Sequence, residues 1–74
     1  MPMRHKKPKS INLKKFKAAR ERARMTIAEA GVAIGMSRQT VYNWEIGSSS
    51  PNVDYATALA RLYHCSLSDM GIEP

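Results

Sequence analysis

The stretch of residues 36–47 constrains the fold most, because it carries a helix start, a helix stop and two chemically different faces. Ser37 can cap the N-terminus through its side-chain oxygen, and Gly47 can end the helix in the left-handed conformation. Val41 and Trp44 lie on one face and define an apolar stripe. We therefore predict a short amphipathic helix here that packs on a core through this stripe.

A second capped segment precedes this helix. Thr26 followed by Glu29 has the spacing of a capping box, in which each side chain satisfies a backbone group at the helix start. Gly35 provides the stop. Gly31 lies in mid-helix, where glycine costs about 1 kcal/mol relative to alanine, so we expect a neighbouring helix to pass too close for a larger side chain. Two helices joined by a tight turn at residues 35–37 form a helix-turn-helix unit.

The outer face of the helix after this turn is rich in hydrogen-bonding groups, since it carries Arg38, Gln39, Tyr42 and Asn43. Arginine, glutamine and asparagine near the start of such a helix suit base edges in the major groove of DNA. The same composition is also ordinary for a solvated helix face. The preceding capped helix favours the first interpretation, because the two helices together make a unit that is used for DNA binding.

Charge is distributed unevenly along the 74 residues, whose formal net charge is +6. Residues 1–24 contain ten of the twelve lysines and arginines and a single acid, whereas residues 25–74 carry a net charge of −3. Positive potential is therefore concentrated in the N-terminal part of the chain. The helix over residues 38–46 is nearly neutral, so we expect it to contact bases through hydrogen bonds while charge comes from elsewhere.

Residues 1–9 contain two prolines and very little that is apolar. This composition predicts a disordered basic arm, whose basic residues are Arg4, Lys6, Lys7 and Lys9. One function for such an arm is to follow DNA phosphates and add affinity through counterion release. The alternative is a solvated tail.

A chain of this length makes one domain, and it buries only about 60% of the surface of its unfolded state. Its single cysteine, Cys65, cannot form an internal disulfide, and an unpaired cysteine fits a reducing compartment. No stretch approaches the roughly 18 apolar residues of a membrane span, and the basic N-terminus lacks the apolar core of a signal peptide. We expect a cytoplasmic protein without membrane contact.

Apolar residues at helical spacing and local caps predict three further helices. Leu13, Phe16, Ala19 and Ala23 form the buried stripe of the first. Asparagine and serine caps precede the last two. The five predicted helices cover residues 11–24, 26–34, 38–46, 53–63 and 66–71.

These features resemble the Cro/XRE-type, or phage-repressor-like, helix-turn-helix domains over residues 13–70. The resemblance rests on the order and spacing of several stretches: Gly31, Ile34-Gly35-Met36, Ser37-Arg38-Gln39-Thr40-Val41, Trp44-Glu45-x-Gly47, Pro51, Leu59-Ala-x-Leu62 and Ser66-Leu-Ser-Asp69. It implies an all-α fold, a compact five-helix lambda-repressor-like DNA-binding domain over residues 10–74 that follows the arm.

The resemblance also implies roles for individual residues. Base readout is implied for four residues of the third helix: Arg38, Gln39, Thr40 and Asn43. Contacts with the DNA backbone are implied for Thr26, Ile27, Ser37, Tyr42, Ser48 and Ser49. A structural ion pair that ties the first helix to the third is implied for Arg20 and Glu45.

Several positions depart from the pattern of the family that the sequence resembles. Ile27 replaces a common glutamine, so we expect the backbone N–H groups of residues 26–28 to meet a phosphate without a side-chain donor. The loop over residues 48–50 has serines instead of lysine or arginine, and we expect its hydroxyl and N–H groups to bind phosphate while the arm over residues 1–9 supplies the missing charge. His64 occupies a place usually held by glycine.

We therefore expect a sequence-specific transcriptional regulator of bacterial or phage type that binds double-stranded DNA, with repression as its role. Family members bind two-fold operators, and we expect a weak homodimer that forms on DNA. The alternatives are an antitoxin that represses its own operon, or an adaptor whose arm contacts RNA or ribosomes. We expect no enzymatic activity, cofactor or small-molecule ligand, and the adjacent His64 and Cys65 are too little for a metal site.

Overall fold

A computed structural model describes residues 7–74, and this part of the chain contains four α-helices and one short antiparallel strand pair. In chain order the elements are β1 (Ser10–Ile11), α1 (Leu13–Arg22), α2 (Ile27–Ile34), α3 (Arg38–Glu45), α4 (Val53–Leu62) and β2 (Ile72–Glu73). The first four predicted helices are present, and their ends lie within two residues of the predicted ones.

Each helix begins at a polar side chain that caps it. In all four cases the side-chain oxygen of the cap accepts a hydrogen bond from the backbone N–H three residues later; the caps are Asn12, Thr26, Ser37 and Asn52. Thr26 also donates its own N–H to the Glu29 carboxylate at 2.8 Å, which completes the predicted capping box. The helix starts are therefore determined by contacts over one turn.

The turn between α2 and α3 explains the glycine in mid-helix. A Cβ on Gly31 would lie 2.7 Å from the carbonyl oxygen of Met36, which is backbone of the turn. The Met36 N–H in turn donates to the Gly31 carbonyl at 2.8 Å, and Gly35 between them has a φ of +74°. The carbonyl carbon and oxygen of Ser37, the cap residue of α3, would each lie 3.3 Å from the same Cβ. Gly31 is thus small because the turn and the start of the next helix fold back onto it, which refines the prediction of a close neighbouring helix.

We expect Gly31→Ala to lower the free energy of unfolding by about 1 to 3 kcal/mol, since the added methyl group meets a backbone carbonyl that cannot move without opening the turn. This figure is the net change. The clash of the methyl group with the carbonyl costs stability, and the preference of the helix for alanine over glycine, about 1 kcal/mol, offsets part of that cost. Urea denaturation measures it. Val32→Ala is the control, because Val32 lies on the same helix, is exposed and should change stability little. Equal stability of Gly31→Ala and the parent protein would show that the turn is free to shift.

The hydrophobic core lies between the helices and the C-terminal segment. Its buried members are Phe16, Ala19, Ala30, Val41, Trp44, Ala56, Leu59, Ala60, Tyr63, Met70 and Ile72. The rings of Trp44 and Tyr55 meet at a centroid distance of 5.8 Å and join α3 to α4. Leu13 was predicted in the buried stripe of α1 but is 38% exposed, because as the first residue of the helix it packs at the edge, over Gly47.

The predicted fifth helix over residues 66–71 is wrong: this segment is a hydrogen-bonded turn. Gly71 has a φ of +74°, and the N–H of Ile72 returns to the carbonyl of Leu67 at 2.9 Å. This hydrogen bond closes the segment after a single turn, so no second helical turn follows. Ser66 Oγ does accept the N–H of Asp69 at 3.0 Å, as a helix cap would, but a single turn without continuation does not make a helix.

The chain continues from this turn into β2, which pairs with β1 through Ser10 opposite Glu73 and Ile11 opposite Ile72. The N–H of Lys9 extends the pairing by donating to the carbonyl of Glu73 at 2.7 Å. Lys9 belongs to the arm that was predicted to be disordered, yet it is held here by the backbone of the C-terminal strand. The prediction for residues 1–6 lies outside the described residues.

Candidate nucleic-acid interface

An open cleft separates the start of α2 from the outer face of α3. Its lining comes from both helices and from the segment before them: Arg20, Met25, Thr26, Ile27, Ala28, Arg38, Gln39 and Tyr42. Five residues that were predicted to contact bases or the DNA backbone therefore share one surface, namely Thr26, Ile27, Arg38, Gln39 and Tyr42.

The outer face of α3 presents its long polar side chains to solvent. Arg38 and Gln39 are exposed in the first turn, and Tyr42 is 45% exposed one turn later. The hydroxyls of Ser37 and Thr40 lie 2.8 Å apart, and Ser37 Oγ also accepts the N–H of Thr40 at 3.1 Å. Ser37 and Thr40 therefore stabilise the helix start, while the two residues between them point their functional groups outward.

Asn43 lies one helical turn after Gln39 and contacts it. The Gln39 Nε2 group donates a hydrogen bond to Asn43 Oδ1 at 3.0 Å. Glutamine and asparagine four residues apart are neighbours on a helix surface, where such a bond is favourable. The spacing in the sequence could have indicated this contact, although the two residues were assigned separate roles.

The start of α2 offers fewer free backbone donors than the sequence suggested. Thr26 was expected to offer its N–H to a phosphate, but that group is bound by the Glu29 carboxylate at 2.8 Å. Among the described residues, the N–H groups of Ile27 and Ala28 in the first turn remain without an acceptor, and they point along the positive end of the helix dipole. An anion at this end would bind those two groups.

The serine loop after α3 is also partly occupied. The N–H groups of Ser48 and Ser49 both donate to the carbonyl of Asn43, at 2.9 Å and 3.3 Å, so in this structure they are not free for the phosphate contact that the sequence suggested. The backbone needs these bonds to close the C-terminus of α3. The hydroxyls of Ser48 and Ser49 are exposed and make no hydrogen bond within the described part of the chain, so they remain available. Lys7 brings a positive charge to the same loop, because its Nζ donates to the carbonyl of Ser50 at 2.7 Å.

Arg20 and Glu45 form a bidentate ion pair between α1 and the last residue of α3. Arg20 Nε lies 2.6 Å from Glu45 Oε2, Nη2 lies 3.1 Å from Oε1, and Nη1 donates to the carbonyl of Met25 at 2.8 Å. Arg20 is only 9% exposed, and its hydrogen bonds to Glu45 raise its pKa above the ordinary value. The pair therefore fixes α3 relative to α1 and leaves this guanidinium committed to a structural contact.

Other functional groups are sparse in the part of the chain that the structure describes. No cluster of three or more histidine, cysteine, aspartate or glutamate side chains there could hold a metal ion. His64 has a φ of +56°, the left-handed conformation that glycine usually adopts at such a position. None of the helices over residues 7–74 has the length and apolar character needed to span a membrane.

Two short capped helices, a glycine turn and an exposed polar face on the second helix define a helix-turn-helix domain. A family model described as helix-turn-helix matches residues 16–70, which is most of the chain. The chain belongs to this family of Cro-type helix-turn-helix domains, as the sequence resemblance predicted. Neither the curated proteins nor the solved structures contain a match to it. The protein is a DNA-binding helix-turn-helix regulator, and its partner is double-stranded DNA.

Proposed function

We propose that this protein is a sequence-specific transcriptional repressor that inserts the first turn of α3 into the major groove. The observation that carries the proposal is the cleft in which exposed Arg38 and Gln39 stand beside the start of α2. Arginine suits the O6 and N7 acceptors of guanine, and glutamine suits N6 and N7 of adenine. Thr40 and Asn43 complete the base-facing surface.

Contacts with the DNA backbone flank α3 at both ends in this proposal. At one end the free N–H groups of Ile27 and Ala28 bind a phosphate, with the Thr26 and Ser37 side chains beside them as caps. At the other end the hydroxyls of Ser48 and Ser49 bind a second phosphate. Backbone contacts of this kind orient a protein on the duplex without distinguishing sequences.

Two further residue groups add to the backbone contacts. Tyr42 lies along the same exposed side as Arg38, within reach of a sugar or phosphate. The arm supplies charge through Arg4, Lys6, Lys7 and Lys9. Support for the arm comes from Lys7, whose ammonium group is bound to the loop after α3 and so adds positive charge where the loop has only serines.

The operator in this proposal is two-fold symmetric, and two copies of the chain bind half-sites about 34 Å apart. The surface proposed for self-association is a shallow groove between α2 and α4, to which Ile34, Ala58 and Leu62 contribute. Its apolar area is small, so the homodimer forms mainly on DNA. Repression follows because a protein that occupies a promoter groove excludes other proteins from it.

Selection of bound duplexes from a random DNA pool tests this function, and we expect one motif to be enriched. Arg38→Ala should relax a single position of that motif and weaken binding to it by about 1 to 3 kcal/mol, because one bidentate base contact is lost. Arg22→Ala is the matched control, since Arg22 is exposed on α1 and its loss should leave the motif unchanged. A pool without enrichment would rule out sequence-specific binding.

A further inference from the structure

The hydrogen bond between Gln39 and Asn43 uses one N–H donor of the Gln39 side chain and the acceptor oxygen of the Asn43 side chain. A carboxamide has two N–H donors and an oxygen with two lone pairs. One Nε2–H of Gln39 is bound to Asn43 Oδ1 at 3.0 Å. Gln39 therefore keeps its oxygen and one N–H, which are the acceptor and the donor that a bidentate contact with adenine requires.

Position in the helix indicates which of the two side chains meets the base. Gln39 lies in the first turn of α3 and is exposed, whereas Asn43 lies one turn later and is half-buried. Residues at the N-terminal end of such a helix are the ones that contact base edges. Gln39 is therefore placed to contact the base, and Asn43 lies behind it.

The surroundings of Asn43 make it a fixed support. Its backbone carbonyl accepts hydrogen bonds from the N–H groups of Ser48 and Ser49, at 2.9 Å and 3.3 Å, and so holds the main chain where α3 ends. Its shorter side chain also has fewer rotatable bonds than that of glutamine. A bond from the exposed Gln39 amide to this support selects one amide orientation before DNA arrives.

We propose that Asn43 is a positioning residue: it orients the Gln39 amide so that Gln39 alone reads one adenine in the operator. This inference rests on the proposed function and refines it, because the two residues then specify one base pair together instead of one each. The amino group of Asn43 is left to bind an acceptor on the DNA. This contact adds no further base specificity.

Two substitutions at residue 43 separate orientation from direct contact. Asn43→Asp keeps the oxygen that accepts from Gln39 and removes the amino group, whereas Asn43→Ala removes both. The measurement is a specificity ratio: the dissociation constant for a duplex in which the adenine is replaced by guanine, or by 7-deazaadenine, which lacks the N7 acceptor, divided by the dissociation constant for the enriched duplex. Circular dichroism confirms that each variant is folded.

We expect Gln39→Ala and Asn43→Ala to relax the same position, each lowering the ratio by roughly 5- to 150-fold. Adding Asn43→Ala to Gln39→Ala should lower it no further. Asn43→Asp should retain the parent ratio while binding every duplex more weakly, because its charge repels phosphates.

Three results would overturn the inference. In the first, Asn43→Ala relaxes a different position and leaves the adenine preference intact. In the second, the effects of Gln39→Ala and Asn43→Ala are additive. In the third, Asn43→Asp loses the adenine preference as fully as Asn43→Ala, which would mean that the amino group of Asn43 is the one that matters. If the parent protein enriches no motif, the proposed function fails and the inference fails with it; if a motif is enriched and one of the three results is found, only the inference fails.

Discussion

Glu45→Ala is expected to lower the free energy of unfolding by about 3 to 5 kcal/mol, the largest effect of any single substitution considered for this chain. The substitution leaves the Arg20 guanidinium in a site where it is 9% exposed, and within residues 7–74 the carbonyl of Met25 is then its one remaining hydrogen-bond partner. A buried charge without its counter-ion is costly, because the protein interior cannot replace the lost hydration. Since the core of a domain of about 70 residues rarely supplies more than about 3 to 5 kcal/mol, a substantial unfolded fraction is expected.

Urea denaturation followed by the fluorescence of Trp44 measures this loss. The matched control is Glu21→Ala, because Glu21 is exposed on α1 and its removal changes the net charge equally. The double variant Arg20→Met with Glu45→Leu should recover most of the stability, since it removes both charges and fills the site with apolar groups. A loss for Glu45→Ala no larger than that for Glu21→Ala would show that the ion pair contributes little.

The ion pair also matters for DNA binding, because it joins α1 to the last residue of α3. At temperatures where Glu45→Ala remains folded, we expect weaker binding to all duplexes and an unchanged preferred motif. The base-facing side chains keep their identity, but the helix that carries them is held less firmly.

The second large effect is expected from the arm. Replacing Arg4, Lys6, Lys7 and Lys9 with glutamine should reduce the slope of log affinity against log salt concentration by about 3 to 4, if each residue neutralises one phosphate. Affinity at 50 mM salt should then fall by roughly 100-fold more than affinity at 200 mM salt. The physical basis is counterion release, which depends on the number of neutralised phosphates and not on the base sequence.

Fluorescence anisotropy with a labelled duplex at several salt concentrations gives these slopes. The control replaces four basic residues on α1 in the same way: Lys14, Lys15, Lys17 and Arg22. These side chains are exposed, and they lie outside the loop region to which Lys7 is bound, so the slope should change less. An unchanged slope for the arm variant would identify the arm as a solvated tail. Binding to random and to selected duplexes should weaken alike.

Several parts of the fold could be predicted from the sequence because their causes are local. The caps Asn12, Thr26, Ser37 and Asn52 each bond to the N–H three residues later, so residue type and spacing suffice to locate the helix starts. The same spacing misled at residues 66–71, where a cap was present but the chain turned away at Gly71. A cap starts a helical turn, but the residues after that turn decide whether the helix continues.

The candidate site likewise has some features that the sequence predicted and others that it did not. Exposure of Arg38 and Gln39 follows from the apolar stripe on the opposite face of α3, which the periodicity of the sequence shows. The capping-box spacing of Thr26 and Glu29 already implied that Glu29 binds the Thr26 N–H, although the same N–H was also assigned to a phosphate. Occupation of the Ser48 and Ser49 N–H groups was not foreseen. Residue types alone did not indicate which of the possible acceptors each N–H group would use.

By itself, the sequence determined the helix-turn-helix unit, its family, the polar face of α3 and the concentration of basic residues in the N-terminal part. The tertiary structure alone decided that β1 pairs with β2, that Lys7 lies on the Ser50 carbonyl and that Gly31 supports the turn. The physical reason is distance along the chain. Caps and helix faces depend on residues within about one turn, whereas Lys7 and Ser50 are 43 residues apart and meet only when the whole core has packed.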